Sequence, residues 1–182
     1  MILRALLLLA GIALLFGCGP AATSGAPGRG AVEVTVSRVV DGDTVEVSPA
    51  IAGEEDVRLI VIDTPEVAGA PGGAQPYGAE AERFTRRELE GENVTLKFDE
   101  EAWDDYGRVL AYLYAPDGTM FNQTLLEKGY AQVATFPPNV RHAGRFEEAQ
   151  RSARRAEEGI WNLPEARLCR LTDRGNGVGG GC

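Results

Sequence analysis

Alternating hydrophobic and polar positions mark the first folded segments of the chain. The run VEVTVSRVV (residues 32–40) alternates, meets Asp41-Gly42, and continues as DTVEV (residues 43–47). An Asp-Gly pair between two β-branched runs is a strong signal for a β-hairpin. Residues 56–62 are largely apolar on both faces and predict a buried strand, and residues 93–99 and 108–114 predict two more.

Three segments carry the spacing of helices. Residues 77–90 place Ala81, Phe84 and Leu89 among charges, residues 120–129 end at a glycine, and residues 141–158 predict a long charged helix. The predicted order is three strands, a helix, two strands and two helices. That order predicts an α+β domain, a five-stranded OB-type β-barrel with about three helices.

The N-terminal segment predicts export. Arg4 precedes an unbroken run of 13 apolar or glycine residues, 5–17, which is shorter than the roughly 20 residues that span a bilayer. This pattern is typical of a signal peptide, residues 1–17. The run ends LLFGC, which resembles a bacterial lipoprotein cleavage site, so we expect Cys18 to be the lipidated first residue of an exported, membrane-anchored lipoprotein. The alternative is plain secretion as an extracellular protein, with cleavage near Ala21 or Ala22.

Stretches rich in glycine, proline and alanine flank the predicted domain. Residues 18–30 predict a flexible linker, residues 31–164 the folded domain, and residues 165–182 a flexible tail. The two cysteines beyond Cys18 are Cys169 and Cys182. An even pair in an oxidising compartment suggests a disulfide between them, and two free thiols in a frayed tail are the alternative.

The net charge counts against general nucleic-acid binding. The chain has 27 acidic and 18 basic residues, a net charge of −9, and removing residues 1–17 takes away only Arg4 and leaves −10. Contacts to phosphates come mainly from lysine and arginine, so an acidic protein is a poor general binder of nucleic acids.

Five charged residues lie beside the predicted apolar strands. They are Asp43, Arg58, Asp63, Glu66 and Arg108. Each alone has an ordinary explanation as a turn residue, a cap or a surface ion pair. Together they offer two hard anionic ligands with no Cys or His nearby, which favours Ca²⁺ or Mg²⁺. A carboxylate that positions water and two guanidinium groups that hold a phosphate complete the requirements of phosphodiester hydrolysis.

Four motifs resemble the staphylococcal nuclease-like (thermonuclease) family. They are VVDGDT, RLIVIDTPE, YGAEA and YGRVLAY, and the resemblance covers roughly residues 34–161. It implies an OB barrel with helices and a Ca²⁺-dependent phosphodiesterase that hydrolyses DNA and RNA and leaves 3′-phosphates. We expect a monomer that favours single-stranded substrates.

The resemblance also implies individual roles. Asp43 and Asp63 match the calcium carboxylates, Thr64 matches the ligand that offers its backbone carbonyl, and Glu66 matches the glutamate that activates water. In the same way, the resemblance assigns the phosphate-clamping arginines to Arg58 and Arg108 and a nucleotide-contacting tyrosine to Tyr106.

The chain departs from the family pattern in its basic residues. Asp105 stands where the secreted prototype of the family has a lysine. The loop of residues 67–76 contains no lysine, whereas the corresponding loop of that prototype is basic. The second nucleotide-contacting tyrosine falls near Thr135 or Phe136, and Phe136 retains only the ability to stack on a base. We therefore expect intact core chemistry with weakened substrate binding.

Two other classes of function use the same residues. A non-catalytic OB-fold module would bind nucleic acid or protein, and a structural lipoprotein would bind calcium through the two aspartates. The non-catalytic module would tolerate loss of the acidic and arginine residues, yet all five of these charged residues are present in this chain. The second leaves the two arginines unexplained, so we favour the enzyme.

One geometric question stays open in the sequence. Arg58 and Asp63 are five residues apart, so strict alternation puts them on opposite faces of one strand. Convergence on one site requires a bulge, or a strand that ends before Asp63.

Overall fold

The computed structural model describes residues 30–174 and contains a closed five-stranded barrel. The strands are β1 (Ala31–Val39), β2 (Thr44–Ile51), β3 (Glu54–Leu59), β4 (Ile62–Asp63), β5 (Asn93–Lys97), β6 (Val109–Tyr114) and β7 (Gln132–Val133). The helices are α1 (Gly78–Leu89), α2 (Phe121–Glu127), α3 (Ala143–Arg155) and α4 (Glu165–Leu168), with a 3₁₀ turn at Gly159–Asn162. The predicted α+β fold is confirmed, with three helices of seven residues or more and the short α4.

The barrel closes through one parallel pair. Its strand order is β1-β2-β3-β6-β5, and β3 pairs with β6 in parallel, with Arg58 opposite Leu110. The short strands β4 and β7 form a separate antiparallel pair, in which Asp63 lies opposite Gln132. The Asp41-Gly42 turn joins β1 and β2 as predicted. No helix within residues 30–174 is long and apolar enough to span a membrane.

A break after β3 resolves the open question about Arg58 and Asp63. The predicted continuous strand over residues 56–62 ends at Leu59, and the chain turns at Ile60 and Val61 before β4 begins. Val61 has φ of 64°, a left-handed conformation that β-branched residues rarely adopt. Because the turn interrupts the alternation, Asp63 comes to the same side of the barrel as Arg58.

Apolar side chains from alternate strand positions fill the barrel. Val45, Val57, Leu59, Leu96 and Val109 are completely buried. They are covered by the apolar faces of the helices, with Phe84 and Leu89 from α1, Leu125 and Leu126 from α2, and Phe146 from α3.

The folded part of the chain continues beyond Pro164, where the sequence predicted that the tail begins. A second hydrophobic cluster contains Ala153, Ile160, Trp161 and Leu171, so Trp161 packs here rather than inside the barrel. Cys169 is disulfide-bonded. Its predicted partner Cys182 lies outside the described residues, as do the predicted signal peptide, Cys18 and most of the predicted linker, and these assignments stay predictions.

Candidate active site

Asp43 is held by the turn between β1 and β2. Its backbone N–H donates to Asp41 Oδ1 at 2.9 Å, and the residue is only 4% exposed. Thr85 of α1 donates its hydroxyl to the carbonyl of Gly42 at 2.7 Å, which fixes the turn against the helix. A Cβ at Gly42 would lie 2.6 Å from Thr64 Oγ1, so only glycine allows this close approach.

Asp63 and Thr64 bring the end of β4 to the same turn. The backbone N–H of Thr64 donates to Asp43 Oδ2 at 2.6 Å, and this bond connects residues 21 apart in the chain. Asp63 is 6% exposed. The two aspartates predicted as metal ligands therefore lie side by side, both buried.

Arg58 bridges the two carboxylates. Its Nη1 forms an ion pair with Asp43 Oδ1, and its Nη2 contacts Asp63 Oδ1 at 3.0 Å. The same nitrogens donate to the carbonyls of Leu59 and Ile62 at 3.4 and 3.3 Å. Burial opposes the positive charge of Arg58, but Asp43 and Asp63 together raise its pKa. The guanidinium thus ties β2, β3 and β4 together at one end of the barrel.

Burial leaves the Asp43 carboxylate short of positive charge. It raises the pKa of Asp43 to about 6, against the lowering effect of Arg58. Asp41 raises this pKa further, and Thr64 lowers it through its N–H. Desolvation therefore outweighs the single bridging arginine, so the site favours additional positive charge.

Glu66 lies at the edge of the pair with its backbone fixed. Its N–H donates to Gln75 Oε1 at 3.2 Å, and its carbonyl accepts from the N–H of Gln75 at 2.9 Å. A Cβ at Gly78 would lie 2.1 Å from the Glu66 carbonyl oxygen, so α1 starts against this backbone. Burial, followed by the charges of Asp63 and Asp43, raises the pKa of Glu66. Within residues 30–174, no hydrogen bond or ion pair holds its carboxylate, which is therefore free to bind water.

Arg108 directly precedes β6 and pairs away from the two aspartates. It is two residues before Leu110, which lies opposite Arg58 in the register of β3 and β6. The Nε of Arg108 donates to Asp104 Oδ2 at 2.7 Å, and Nη2 forms an ion pair with the same oxygen at 2.7 Å. The structure therefore brings Asp43, Arg58 and Asp63 into direct contact, while the side chain of Arg108 pairs with Asp104.

The two predicted substrate-contacting aromatics are exposed. Tyr106 is 86% exposed and lies against Arg108, whose Cζ is 5.5 Å from the ring centroid. Phe136 is 65% exposed. The two loops are tied together, because the side chain of Asn139 bonds to the backbone N–H and carbonyl of Glu101 at 2.9 Å each.

One site residue was missed by the sequence analysis. Arg174 donates from Nε to Asp63 Oδ2 at 2.9 Å, and its Nη2 forms an ion pair with the same oxygen at 2.8 Å. It lies in the segment TDRGNG, whose composition predicts a tail rather than a site. No local pattern would have identified it, because the contact joins residues 111 apart.

The donor set fits a hard divalent cation. In the described part of the chain no group of three or more His, Cys, Asp or Glu residues forms a ready-made metal cluster. Two adjacent buried carboxylates and the neighbouring Thr64 carbonyl nevertheless supply only oxygen ligands, the type that Ca²⁺ and Mg²⁺ prefer. Burial disfavours the charged form of the Asp43 carboxyl and raises its pKa, and a cation bound there would stabilise the negative charge.

Comparisons with known proteins match this chain to one family and to several relatives. A family model described as staphylococcal nuclease homologue matches residues 56–163. The thermonuclease of Staphylococcus hyicus is 36% identical over 144 residues, which cover 79% of this chain and 84% of the relative. The thermonuclease of Staphylococcus intermedius is 39% identical over 145 residues, covering 80% and 84%.

A third relative is longer than this chain. The SPbeta prophage-derived endonuclease YokF of Bacillus subtilis (strain 168) is 37% identical over 147 residues, which cover 79% of this chain and 47% of the relative.

The match to the family model includes every predicted site residue from Arg58 to Phe136 but begins after Asp43.

Proposed function

Because this chain belongs to the staphylococcal nuclease homologue family and is a nuclease, we propose that it is a Ca²⁺-dependent phosphodiesterase that hydrolyses both DNA and RNA. The single observation that carries the proposal is the contact of Arg58 with both Asp43 and Asp63. Three separate strands thereby present two hard anionic ligands and one guanidinium at one end of the barrel.

Asp43, Asp63 and the carbonyl of Thr64 would hold the cation. When bound, Ca²⁺ would supply charge that polarises a phosphoryl oxygen of the substrate. The hydrogen bond from Thr64 N–H to Asp43 Oδ2 fixes the spacing of these ligands before any ion arrives. Preorganisation of this kind lowers the cost of assembling the site.

Glu66 is the residue that would activate water. Its carboxylate has no hydrogen-bond or ion-pair partner among residues 30–174. Its pKa is raised, and a general base is most effective when its pKa lies near the pH at which it works. The carboxylate would hold the attacking water and accept its proton. Attack on the phosphorus would break its bond to the 5′ oxygen, which would take up a proton from solvent as it leaves as a hydroxyl, and a 3′-phosphate would remain on the other product.

The two arginines would stabilise charge on the phosphate. Arg58 lies within the carboxylate pair, and its positive charge is maintained by Asp43 and Asp63. Arg108 must leave Asp104 to reach a phosphate, so part of its binding energy is spent on breaking that ion pair. This exchange adds to the effect of Asp105 and supports a nuclease with weakened substrate binding.

The bases of the substrate would stack on exposed aromatic rings. Tyr106 and Phe136 offer open faces on two linked loops, and stacking on such rings does not depend on sequence. Bases are free to stack in this way when they are unpaired, which supports a preference for single-stranded DNA and RNA. We propose that the protein acts as a monomer.

The location of the enzyme is part of the proposal. A signal peptide at residues 1–17 and lipidation of Cys18 would place a bacterial nuclease at the outer face of a membrane, and secretion is the alternative. Mass spectrometry of the mature N-terminus distinguishes the two, because an unmodified N-terminus beyond Cys18 would exclude the lipid anchor.

The test of function is cleavage of end-labelled single-stranded DNA in Ca²⁺ and in chelator. We expect Ca²⁺-dependent cleavage to 3′-phosphate products, and a loss of about 100-fold or more in kcat for Glu66→Gln. Glu148→Gln on the exposed face of α3 is the matched control and should cleave like the parent. Absence of cleavage by the parent in any divalent cation would instead favour a non-catalytic OB-fold binding module.

A further inference from the structure

The segment of residues 169–174, here called the C-terminal strap, is anchored on the body of the domain. Leu171 is 3% exposed and packs with Ala153, Ile160 and Trp161. Cys169 at the start of the strap is disulfide-bonded. The packing of Leu171 thus anchors the strap on the body of the domain.

Two buried or partly buried glutamines direct the strap to the candidate active site. Gln75 Nε2 donates to Thr172 Oγ1 at 2.8 Å, and Gln132 Nε2 donates to the Thr172 carbonyl at 3.3 Å. Gln75 also bonds to the backbone of Glu66, and Gln132 is the β4–β7 register partner of Asp63. The strap is therefore tied to the neighbours of two site residues.

Arg174 completes the enclosure of Asp63. Asp63 Oδ1 faces Arg58 at 3.0 Å, while Oδ2 accepts a hydrogen bond from Arg174 Nε and forms an ion pair with its Nη2. Both oxygens of a predicted metal ligand are therefore in contact with guanidinium groups. A divalent cation on Asp63 would meet the positive charge of Arg174 at close range, where like charges repel strongly.

We propose that Arg174 is a positioning residue that competes with the divalent cation for Asp63, so that metal binding displaces the strap's guanidinium. This inference rests on the proposed function, which places the cation between Asp43 and Asp63. In the metal-free protein, Arg174 supplies the positive charge that faces Asp63 Oδ2. When the cation binds, Asp63 exchanges the Arg174 guanidinium for the metal ion. Because the ion pair with Arg174 has to break first, the apparent affinity of the protein for the metal is weakened.

The strap makes this competition specific to one side chain. Arg170 belongs to the same strap and carries the same charge, but it is exposed. Removing either arginine changes the net charge of the protein equally. Of these two arginines, Arg174 is the one that contacts a predicted metal ligand, so its removal should change the affinity for metal substantially and removal of Arg170 should not.

The test is isothermal titration of the purified full chain with Ca²⁺ alone. We expect Arg174→Ala to bind Ca²⁺ about tenfold more tightly than the parent, because a repulsive charge is removed. Arg170→Ala should stay within about twofold of the parent, because an exposed charge at a distance is screened. Arg174→Lys retains the charge and should stay closer to the parent than Arg174→Ala does.

A second readout follows the strap without using activity or affinity. In chelator, loss of the contact with Asp63 should lower the Tm of Arg174→Ala relative to the parent, and Ca²⁺ should raise its Tm by more. In the parent, Ca²⁺ should increase the rate of trypsin cleavage after Arg174, because the displaced side chain becomes accessible.

The outcomes separate this inference from the proposed function. Equal or weaker Ca²⁺ binding by Arg174→Ala, with binding by the parent intact, would overturn the competition and leave the proposed metal site standing. If KM for single-stranded DNA also rises in that variant, Arg174 is a substrate contact instead. If no variant binds any divalent cation, the proposed metal site and the competition are both wrong.

Discussion

The backbone N–H of Thr64 donates to Asp43 Oδ2 at 2.6 Å, so one predicted metal-ligating residue holds the side chain of another. The bond connects the turn after β1 to the end of β4, two segments that no regular strand pairing joins. It fixes one carboxylate oxygen and leaves the Thr64 carbonyl available as a ligand. The site is therefore built by tertiary contacts rather than by one continuous motif.

Replacing Gly42 should disturb this contact. A methyl group in Gly42→Ala would lie 2.6 Å from Thr64 Oγ1, and the resulting shift should cost about 1–3 kcal/mol of unfolding free energy. Because Thr64 carries the bond to Asp43, Ca²⁺ affinity should fall with it. Gly144→Ala is the control, since nothing lies within 4 Å of its added methyl group. Urea unfolding in the presence of chelator measures the loss of unfolding free energy. A Gly42→Ala protein as stable as the parent would contradict the prediction.

The stability of the metal-free protein should depend on pH through Asp43. Burial raises the pKa of this carboxyl from 3.8 in the unfolded chain to about 6 in the folded protein. Between those values the folded state binds the proton and the unfolded state does not, so this group's contribution to stability falls as pH rises from about 4 to about 6. The limiting slope is about 1 kcal/mol per pH unit.

Asp43→Asn isolates this contribution. Urea unfolding with chelator at successive pH values should show the variant gaining stability relative to the parent as pH rises from about 4 to about 6, with little further change above. A stability difference that stays constant over this range would show that Asp43 titrates normally in the fold.

The ion pair between Asp104 and Arg108 should limit substrate binding. Asp104→Asn keeps an oxygen for the N–H groups of Tyr106 and Arg108 but removes the charge that holds the guanidinium. We expect KM for single-stranded DNA to fall about threefold to tenfold, with kcat less affected, because Arg108 no longer has to leave a partner. Asp105→Asn removes the same charge from the adjacent exposed residue and should lower KM less. A KM that rises in Asp104→Asn would mean that the pair positions Arg108 productively.

The sequence predicted the barrel because its signals are local. Alternation, the Asp41-Gly42 turn and the helical spacing of Phe84 and Leu89 each act over a few residues, and the structure contains the corresponding elements. The turn that ends β3 could not be predicted in this way. Val61 is a β-branched residue in a left-handed conformation, which only the surrounding packing can impose.

The sequence also named site residues without showing how they are partnered. Asp104 lies between the predicted strands of residues 93–99 and 108–114 and belongs to no motif, yet in the structure it pairs with Arg108. Arg174 lies in a segment whose composition predicts a tail, and only the burial of Leu171 and the two bonds to Thr172 bring it to Asp63. Such contacts depend on tertiary structure, so a pattern of residue types cannot reveal them.

The central claim, that Asp43 and Asp63 hold one divalent cation, is tested most directly by Ca²⁺ titration of single-substitution variants. Asp43→Asn and Asp63→Asn should each abolish measurable Ca²⁺ binding, since each removes a ligand that the other cannot replace. Asp117→Asn removes the same charge from an exposed turn and should bind Ca²⁺ with the affinity of the parent protein. Parent-like Ca²⁺ binding by Asp43→Asn or Asp63→Asn would contradict the account.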